Sequence, residues 1–555
     1  MIEDKIRAEL AYQLGKLYPK VDISEKDIEI TRPPKRELGD FSANVAFKLA
    51  PQLGKKPNEI AEEIADSMKS WDWSTDETKA VGGFVNIFLV KAPYHEIVKD
   101  ILDKKSSYAN LDIYKGQKIQ VEFISANPTG PLTLANGRGG FGGDVLANVF
   151  VKNGATVERE YYVNDGGNQV KILGDSILAS TGLIKKEDDY YKGEYIAELA
   201  EKYKDQLEKY TNDSFGLGQL AAKYLLENQI KPSVKKMGIK FDNWFSEKQM
   251  IDSGEVDEAI EKLKKYGHTK EEEGALWMKT TLAGDDKDRV LIKSDGEKTY
   301  FANDIAYHFD KFYKRDFNRV VNFWGADHHG YVGRMKAAVT LSVGSTGILD
   351  IVIFQMVNLI KDGKEYRMSK RKGTYVTMDD LLELISGDNP STSAQDLREA
   401  SDVARFFFLM RSFNTHMDFD IDLAKERSDK NPVFYVKYAY ARMSNIIKKA
   451  EELKLPKADL SKLVTPEEIE FIDQLSQIND VIRSIVMFDD YPVHHLTHYA
   501  IETAKMFHSF YDKCRVIDEN DLKMTAARLE LIKAAQIVMG IVMKDLIGIE
   551  APERR

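Results

Sequence analysis

The sequence has little of several features that would assign it to a class. It contains 555 residues but a single cysteine, Cys514, which excludes an intrachain disulfide and any cysteine-rich zinc site. It shows no apolar run of membrane-spanning length, no internal repeat and no low-complexity tract. Its first residues lack the continuous apolar region of a signal peptide. We therefore expect a globular protein of a reducing compartment, most simply the cytoplasm, with no membrane partner.

The composition is that of a large folded protein. The chain is 43% hydrophobic and 30% charged, and by the usual size of domains it should contain about three or four units. Its formal net charge of -10 gives no overall attraction to nucleic acid, although a local basic surface can bind RNA in an acidic protein. The charge therefore neither supports nor excludes an RNA partner.

A βαβ unit is predicted near residues 118 to 165. The segment KIQVEFISAN indicates a strand ending near Ser125, and NPTGPLTLANGRGGFGGD (residues 127–144) follows with six glycines and two prolines. From Gly139, apolar residues recur at helical spacing until Gly154, and TVEREYYVND indicates a second strand. The ligand site of such a unit lies beyond the carboxyl end of its first strand.

The rest of the chain predicts an α/β protein with flanking domains. Residues 170–270 are rich in Lys and Glu and mainly helical, which indicates an insertion whose charge runs are solvated faces. Strand patterns resume at RVLIKS, RVVNFWG and ILDIVIFQMVNLI and predict the second half of a doubly wound parallel sheet. We predict an α+β domain at 1–110, an α/β domain at 111–385 with the insertion at about 170–270, a connecting helical segment at 386–425 and an all-α domain at 426–555.

The glycine-rich stretch is a candidate phosphate site. A turn of this kind that opens a helix offers unbonded N–H groups and the positive end of the helix dipole. However, neither G-x-G-x-x-G nor G-x-x-x-x-G-K-[ST] is present, so a merely tight turn between strand and helix is an open alternative.

A second candidate is the basic segment EYRMSKRKGTYVTMDD (residues 365–380). It places Arg367, Lys370, Arg371 and Lys372 within six residues, where like charges repel. A solvated loop is the alternative, but a cationic clamp on a polyphosphate transition state explains the clustering better.

RMSKR resembles the KMSKS signature of class I aminoacyl-tRNA synthetases, and the glycine-rich stretch stands where these enzymes carry their HIGH signature. The blocks EREYYVNDGGNQ, WGADHHGYVGRMKAA, QMVNLIKDGKEYRMSKRKGT and NPVFYVKYAYAR are similar to bacterial arginyl-tRNA synthetases. The resemblance runs from near residue 30 to the C-terminus. It implies a Rossmann-type catalytic domain that activates L-arginine with ATP, releases pyrophosphate and transfers the arginyl group to tRNA.

The resemblance also implies an arginine pocket. A guanidinium group needs planar carboxylate acceptors, and acidic residues stand at the matching positions. A solvent-facing strand residue is the alternative for Glu122, and ordinary core packing is the alternative for Tyr300. The expected arginine-binding residues are Glu122, Ser125, Asn127, Tyr300 and Asp304.

The HIGH signature is altered in this chain. The family's His-x-Gly-His reads Thr133-Leu134-Ala135-Asn136. A threonine hydroxyl and an asparagine amide can still donate to phosphates, whereas Ala135 adds a methyl group where adenine would lie. We expect Thr133, Asn136 and Lys370 to act in catalysis. The expected ATP-binding residues are Pro131, Leu132, Ala135, Gly137, Gly139, Gly140, Gly325, Asp327, His328, Met368, Ser369 and Arg371.

The terminal domains are expected to bind tRNA. Basic residues of the N-terminal domain can contact phosphates, and aromatic faces in the C-terminal helices can stack on anticodon-loop bases. A core stripe is the alternative for the tyrosines. The expected tRNA-binding residues are Arg32, Lys35, Arg36, Tyr435, Tyr438 and Arg442.

We expect Mg²⁺ to enter with ATP and no protein-bound zinc. The run Asp327-His328-His329 is not expected to hold a metal, because neighbouring side chains on an extended segment point apart. The protein is expected to be a monomer. The alternative to an active ligase is a non-catalytic tRNA-binding relative, which the altered HIGH signature supports.

Overall fold

The computed structural model describes residues 2–33, 35–75, 77–344, 347–366, 376–387 and 393–553. The chain divides into two compact units, each assembled from separate stretches. The first comprises Met1–Tyr108, Met443–Gln477 and Lys505–Val538, and the second comprises Ala109–Arg442, Ile478–Ala504 and Met539–Arg555. Across the described ranges, we find no helix both long and apolar enough to span a membrane.

The N-terminal part combines helices with a small antiparallel sheet. In helix α1 (Ile2–Leu17), Ile6, Leu10 and Leu14 are fully buried, because residues four apart share one face of a helix. The strands are β1 (Ile30–Thr31), β2 (Phe41–Ala43), β3 (Lys79–Val81) and β4 (Phe84–Ile87), in the order β1-β2-β4-β3. The remaining helices are α2 (Val45–Leu53), α3 (Pro57–Met68) and α4 (Ala92–Lys104).

The βαβ unit is present, and its helix begins earlier than the sequence indicated. Strand β5 (Lys118–Glu122) and strand β6 (Thr156–Val163) are parallel neighbours joined by helix α5 (Leu134–Lys152). Thr133 caps α5, so the helix starts five residues before Gly139. The glycines at 137–143 therefore lie inside the helix, which corrects the prediction of a glycine-rich turn opening it.

The insertion is helical but also supplies one strand of the main sheet. Its first helices are α6 (Asn168–Ser180), α7 (Glu194–Lys202), α8 (Ser214–Leu225) and α9 (Lys231–Lys236), followed by β7 (Asn243–Ser246), α10 (Glu247–Asp252) and α11 (Glu255–Lys265). Gly174 allows α6 and α8 to cross closely, since a Cβ there would lie 1.8 Å from the Ser214 carbonyl oxygen. Strand β7 pairs in parallel with β6.

Two strand predictions need correction. RVLIKS falls in a separate antiparallel sheet, made of β8 (Thr269–Glu272), β9 (Ala275–Met278) and β10 (Arg289–Ile292). After α12 (Tyr300–Phe309), β11 (Arg319–Gly325) and α13 (Val332–Val343), the run ILDIVIFQMVNLI divides into β12 (Ile348–Phe354) and β13 (Val357–Lys361). Strand β13 joins β14 (Lys364–Glu365) and β15 (Met417–Asp420) in a separate three-stranded sheet. Alternation identifies extended residues, but distant packing decides which sheet they join.

The main sheet confirms the predicted doubly wound architecture. Its order is β12-β11-β5-β6-β7, and all four pairings are parallel. The chain runs outward in one direction from β5 to β7 and in the other direction from β11 to β12. The switch point therefore lies between β5 and β11, where a crevice opens at the carboxyl ends of the strands.

Helices make up the C-terminal part, which confirms the all-α prediction. Beyond Asp420, the described residues contain helices and connecting segments but no strand. The helices are α14 (Met378–Ser386), α15 (Ala394–Leu409), α16 (Ile421–Lys425), α17 (Pro432–Ala450), α18 (Pro466–Ser476), α19 (Ile478–Met487), α20 (His494–Lys513) and α21 (Leu522–Gly540).

Candidate active site

A crevice of about 900 Å³ lies at the switch point of the main sheet. The carboxyl ends of β5 and β11, the start of α5 and the start of α12 form its walls. All five candidate arginine-binding residues line it. Candidate ATP-binding residues also line it, namely Ala135, Asn136, Gly325, Asp327 and His328.

Asp304 is a carboxylate of the crevice whose ionised form is disfavoured. Its Oδ2 accepts a hydrogen bond from the Tyr331 hydroxyl at 2.6 Å. Burial nevertheless raises the pKa of Asp304 to about 7, and the carboxylates of Glu247 and Glu122 add to the rise. A raised pKa means that the free site holds too little positive charge for the ionised form. A guanidinium group would supply that charge.

Glu122 ends β5 and is buried, not solvent-facing. Its Oε2 accepts from Lys311 Nζ at 2.6 Å and from the Tyr307 hydroxyl at 3.1 Å. The Ser125 hydroxyl donates to its Oε1 at 3.0 Å. Lys311 is itself fully buried, so its positive charge offsets that of Glu122. The two residues form a neutral pair, in contrast to Asp304.

Glu247 is a third acidic residue that the sequence analysis did not assign. It begins α10 directly after β7, is almost fully buried, and accepts from Asn303 Nδ2 at 3.3 Å. Burial raises the pKa of Glu247. The charges of Glu247, Asp304 and Glu122 all raise the pKa of Tyr162, which lines the crevice. The three carboxylates therefore surround one small region. The segment FDNWFSE was noted in the sequence, but nothing local marks its last residue as buried.

Tyr300 and Asp304 lie one turn apart at the start of α12. The Thr299 hydroxyl caps this helix by accepting from the Ala302 amide. Tyr300 is 61% exposed and lines the crevice. This exposure excludes the alternative that Tyr300 is a core residue. Its ring is open to a ligand over the acidic end of the crevice.

A buried polar chain supports the backbone under Asp304. Lys311 Nζ donates to Asn322 Oδ1 at 3.2 Å, and Asn322 Nδ2 lies 2.9 Å from His308 Nε2. Burial lowers the pKa of His308 to about 3, so its ring is neutral. Since Nε2 accepts from Asn322, the proton is on Nδ1, which donates to the Asp304 carbonyl oxygen at 2.7 Å. Lys311 therefore connects Glu122 to the helix that carries Asp304.

Ser125 and Asn127 follow β5 in a backbone of unusual conformation. Ile124 and Ser125 have φ values of 66° and 40°, which cost free energy for residues with a Cβ and are frequent at functional sites. Ser125 Oγ also accepts from the Tyr162 amide at 3.1 Å. Asn127 Nδ2 donates to Gln169 Oε1. The turn thus brings Ser125 and Asn127 to the mouth of the crevice.

Thr133 and Asn136, at the first and last positions of the altered HIGH signature, form a capping box. The Thr133 hydroxyl and amide both donate to Asn136 Oδ1, at 2.9 and 2.8 Å. The Asn136 amide in turn approaches Thr133 Oγ1 at 3.5 Å. The box uses the Asn136 carbonyl oxygen and leaves its amide nitrogen to donate elsewhere. The Thr133 hydroxyl can donate to a phosphate after leaving Asn136.

The glycines near the start of α5 pack closely against neighbouring side chains. A Cβ at Gly137 would lie 2.2 Å from Met378 Sδ, one at Gly139 would lie 2.9 Å from Phe354, and one at Gly140 would lie 2.9 Å from Ile124. All three glycines are buried inside the helix, where amides bond to carbonyls one turn back. Close packing is therefore a second explanation for these glycines, and their contact with ATP stays a prediction. The unbonded amides of the helix start belong to Leu134 and Ala135.

The other candidate ATP-binding residues lie in different places. Leu132 is almost fully buried, and Pro131 lines a neighbouring cavity. Asp327 and His328 lie in a 3₁₀ helix (Ala326–Tyr331), not in the extended segment that was predicted. The candidates of the basic segment lie outside the described residues, namely Met368, Ser369, Lys370 and Arg371.

Described residues that precede and follow the basic segment contact the elements that form the crevice. Thr377 forms an antiparallel bridge with Thr133, and the Met378 amide donates to the Leu132 carbonyl at 2.8 Å. Arg138 of α5 is fully buried, and its guanidinium donates to the Gln355 carbonyl at 2.8 Å, between β12 and β13. Sequence reasoning missed Arg138, because an arginine beside a glycine-rich run gives no local sign of burial.

The candidate tRNA-binding residues differ in their exposure and in their contacts with other side chains of the protein. Arg32 donates to Asp473 at 3.2 Å and forms an ion pair with Glu3, so two carboxylates already offset its charge. Its contact with a tRNA phosphate stays a prediction. Lys35 is exposed, and the side chain of Arg36 lies outside the described part of the chain. Tyr438 is 37% exposed with the Arg442 guanidinium near its ring, and Tyr435 is half-buried.

The described residues contain no group of three or more His, Cys, Asp or Glu side chains placed to hold a metal ion. Asp327 and His328 approach each other at 3.4 Å, but two side chains do not complete a site.

Family models match most of the chain. The model described as "Arginyl tRNA synthetase N terminal domain" matches residues 2–89, and "tRNA synthetases class I (R), catalytic domain" matches residues 97–389. The model described as "DALR anticodon binding domain" matches residues 436–554.

Curated relatives and a solved structure agree with these matches. An arginine–tRNA ligase of Acetivibrio thermocellus is 41% identical, over 98% of this chain and 96% of the relative. Arginine–tRNA ligase 1 of Halalkalibacterium halodurans is 37% identical, over 100% of this chain and 99% of the relative. The arginyl-tRNA synthetase structure of Thermus thermophilus shares the fold, with a TM-score of 0.79, 22% identity and full coverage of both chains. The chain belongs to the arginyl-tRNA synthetases of class I.

Proposed function

We propose that this protein attaches L-arginine to its cognate tRNA through an arginyl-adenylate, using ATP and releasing pyrophosphate and AMP. The observation that carries the proposal is the acidic crevice at the switch point, where burial raises the pKa of Asp304 to about 7. Such a site gains most from a ligand with a fixed positive charge, and the arginine guanidinium is charged at all relevant pH values.

We assign different crevice residues to different parts of the bound arginine. Asp304 and Glu247 would accept hydrogen bonds from the guanidinium, while Tyr300 would cover its aliphatic stem. Glu122, held by Lys311, and Ser125 and Asn127 at the mouth would hold the amino and carboxylate end. We retain these residues as the proposed arginine site, with Glu247 added.

In the first step, an arginine carboxylate oxygen attacks the α-phosphorus of ATP in line with the leaving group. A new phosphorus–oxygen bond forms, and the bond from the α-phosphorus to the bridging oxygen breaks, so pyrophosphate leaves with the electron pair. The amides of Leu134 and Ala135, the Asn136 side chain and Lys370 would stabilise charge on the phosphates. Mg²⁺ bound through ATP would neutralise the pyrophosphate.

The second step would transfer the arginyl group to a terminal ribose hydroxyl of tRNA without a covalent enzyme intermediate. Proximity and charge stabilisation would supply the acceleration. Selection of arginine would need no editing site, because a neutral or shorter amino acid would leave buried carboxylates unpaired. The N-terminal and C-terminal domains would hold the tRNA, and we propose a cytoplasmic monomer.

The test is attachment of labelled arginine to tRNA by the purified protein with ATP and Mg²⁺. We expect charging by the unaltered protein and a loss of about a hundredfold or more in Asp304→Asn, which removes the acceptor charge. Binding of tRNA by Asp304→Asn should be unchanged.

The competing proposal is a non-catalytic tRNA-binding relative, which the residues Thr133, Ala135 and Asn136 favour. It predicts tRNA binding without charging. It also predicts that charging returns when Thr133→His, Ala135→Gly and Asn136→His are combined.

A further inference from the structure

The 3₁₀ helix Ala326–Tyr331 contributes both ends of its length to the crevice. Asp327 and His328 near its start line the crevice, and so does Tyr331 at its end. The Tyr331 hydroxyl donates to Asp304 Oδ2 at 2.6 Å. The proposed reaction uses the Asp304 carboxylate but gives Tyr331 no role.

The ring of Tyr331 is held by aromatic and cationic neighbours. Its centroid lies 5.9 Å from that of Trp324 and 6.2 Å from that of Phe301, which it meets edge to face. The Arg334 guanidinium lies 4.8 Å from the ring centroid. These contacts fix the hydroxyl before a ligand binds, and a donor that is already in position needs no reorganisation when the ligand arrives.

The hydroxyl of Tyr331 opposes the other influences on Asp304. Burial is the largest cause of the raised pKa of Asp304, and the charges of Glu247 and Glu122 add to it. The hydrogen bond from Tyr331 is the largest effect that lowers this pKa, followed by the charge of Lys311. Lys311 is already paired with Glu122 at 2.6 Å. Tyr331 is therefore a main support of the ionised form in the free protein.

The groups around this hydrogen bond keep their protonation state at neutral pH. Burial and the charge of Asp304 raise the pKa of Tyr331 above its ordinary value of 10, against the smaller effects of Arg334 and Arg289. The phenol is therefore a donor throughout. Burial keeps His308 neutral by lowering its pKa to about 3, so the ring that bonds to the Asp304 carbonyl does not change charge either.

We propose that Tyr331 is a positioning residue for arginine recognition, an inference that rests on the proposed ligase function. Its hydroxyl holds Asp304 Oδ2 in place and stabilises the negative charge, so that Oδ1 can accept from the guanidinium. Tyr331 acts through Asp304 and does not itself bind the substrate. The competing explanation is that Tyr331 serves only to pack its ring against Trp324 and Phe301.

The experiment compares calorimetric titrations of arginine into the unaltered protein and into Tyr331→Phe, at pH 7 and at pH 9. Tyr331→Phe keeps the ring and removes the hydroxyl. Loss of a hydrogen bond to a charged group should raise the midpoint of the pH dependence by about one pH unit. Arginine should therefore bind Tyr331→Phe about fivefold more weakly at pH 7, whereas the two proteins should bind it almost equally at pH 9, where Asp304 is ionised in both.

Tyr313→Phe is the matched control. The Tyr313 hydroxyl also donates a hydrogen bond, to the Ser342 carbonyl at 3.1 Å, but Tyr313 does not line the crevice. This variant should keep the pH dependence of the unaltered protein.

An equal loss of affinity at both pH values in Tyr331→Phe would overturn the proposal, because a packing defect does not depend on the ionisation of Asp304. An unchanged affinity at pH 7 would overturn it as well. If circular dichroism shows that Tyr331→Phe does not fold, 3-fluorotyrosine at position 331 replaces it. This more acidic phenol is a stronger donor and should lower the midpoint, and an unchanged midpoint contradicts the proposal. Failure of the ligase proposal appears separately as absence of tRNA charging, since these titrations need no catalysis.

Discussion

Asp304 should make arginine binding depend on pH. Its pKa is raised to about 7 by burial, and the guanidinium binds the ionised carboxylate. As pH falls from 8 to 6, the ionised fraction drops from about nine-tenths to about one-tenth, so the dissociation constant of arginine should rise about tenfold. Calorimetric titration across this range measures it. An affinity that stays constant from pH 8 to 6 would contradict the raised pKa.

The raised pKa of Asp304 also determines how the free energy of unfolding of the arginine-free protein changes with pH. The folded-state pKa of Asp304 lies above its unfolded value of 3.8, so folding favours the protonated carboxyl. Its contribution to the free energy of unfolding is therefore present below about pH 4 and is lost as pH rises through about 7.

The capping box gives a second prediction at this scale. Thr133→Val removes the hydroxyl that bonds to Asn136 and should destabilise the first turn of α5 by about 1 kcal/mol. Amide hydrogen exchange in that turn should become about fivefold faster. Thr133→Ser keeps the hydroxyl and should exchange at the unaltered rate; equal acceleration in both variants would exclude the box as the cause.

The position of a candidate residue in the crevice was predictable where a family motif contains it, and not where burial depends on distant packing. The positions of Asp304 and Tyr300 were predicted from the family resemblance and from their spacing of one turn on a helix. Glu247 does not, because α12 buries it from 56 residues further along the chain. Glycine is equally ambiguous, since composition does not reveal whether it serves backbone freedom or close packing.

At the scale of elements, the packing of α5 against its neighbours can be tested at Gly143. A Cβ there would lie 2.3 Å from Phe123 Cγ, so Gly143→Ala should lower the free energy of unfolding by about 1–3 kcal/mol. Gly333→Ala is the control, because Gly333 lies in helix α13 with no atom within 4 Å of an added Cβ, and it should be neutral or slightly stabilising. Thermal unfolding of the two variants compares them; equal midpoints would contradict close packing of α5.

The positions of strands and helices along the chain were predicted better than the neighbours that each of them packs against. The alternation of KIQVEFISAN and the apolar spacing after Gly139 led to β5 and α5, but the capping box moved the helix start to Leu134. Strand β7 lies within the segment read as a helical insertion, and its four residues are only partly buried. A short edge strand has too weak an alternation to be recognised before its neighbour is known.

For the whole molecule, the chain order conceals which stretches pack together. Arg32 bonds to Asp473, which lies 441 positions away, within a unit built from three separate stretches. No local sequence pattern predicts that Arg32 contacts Asp473. The division at residues 110, 385 and 425 stays a prediction.

Arg32 and Lys35 should therefore differ in their effect on tRNA binding. Lys35 is exposed, and Lys35→Ala should reduce the slope of log Kd against log salt by about one if it contacts a phosphate. Arg32→Ala should leave the slope unchanged and lower the thermal midpoint, because it breaks two ion pairs. Filter binding over a salt series gives the slopes; a reduced slope in Arg32→Ala would show that Arg32 contacts a phosphate despite its ion pairs.

The central claim is that uncompensated buried carboxylates select a charged side chain. Citrulline has the length and shape of arginine but carries a neutral urea group. The most direct measurement is kcat/KM for tRNA charging with labelled arginine and with labelled citrulline. The account predicts charging with arginine, and a kcat/KM for citrulline that is lower by a factor of about a thousand or more. Comparable values for the two amino acids, or no charging with arginine, would contradict it.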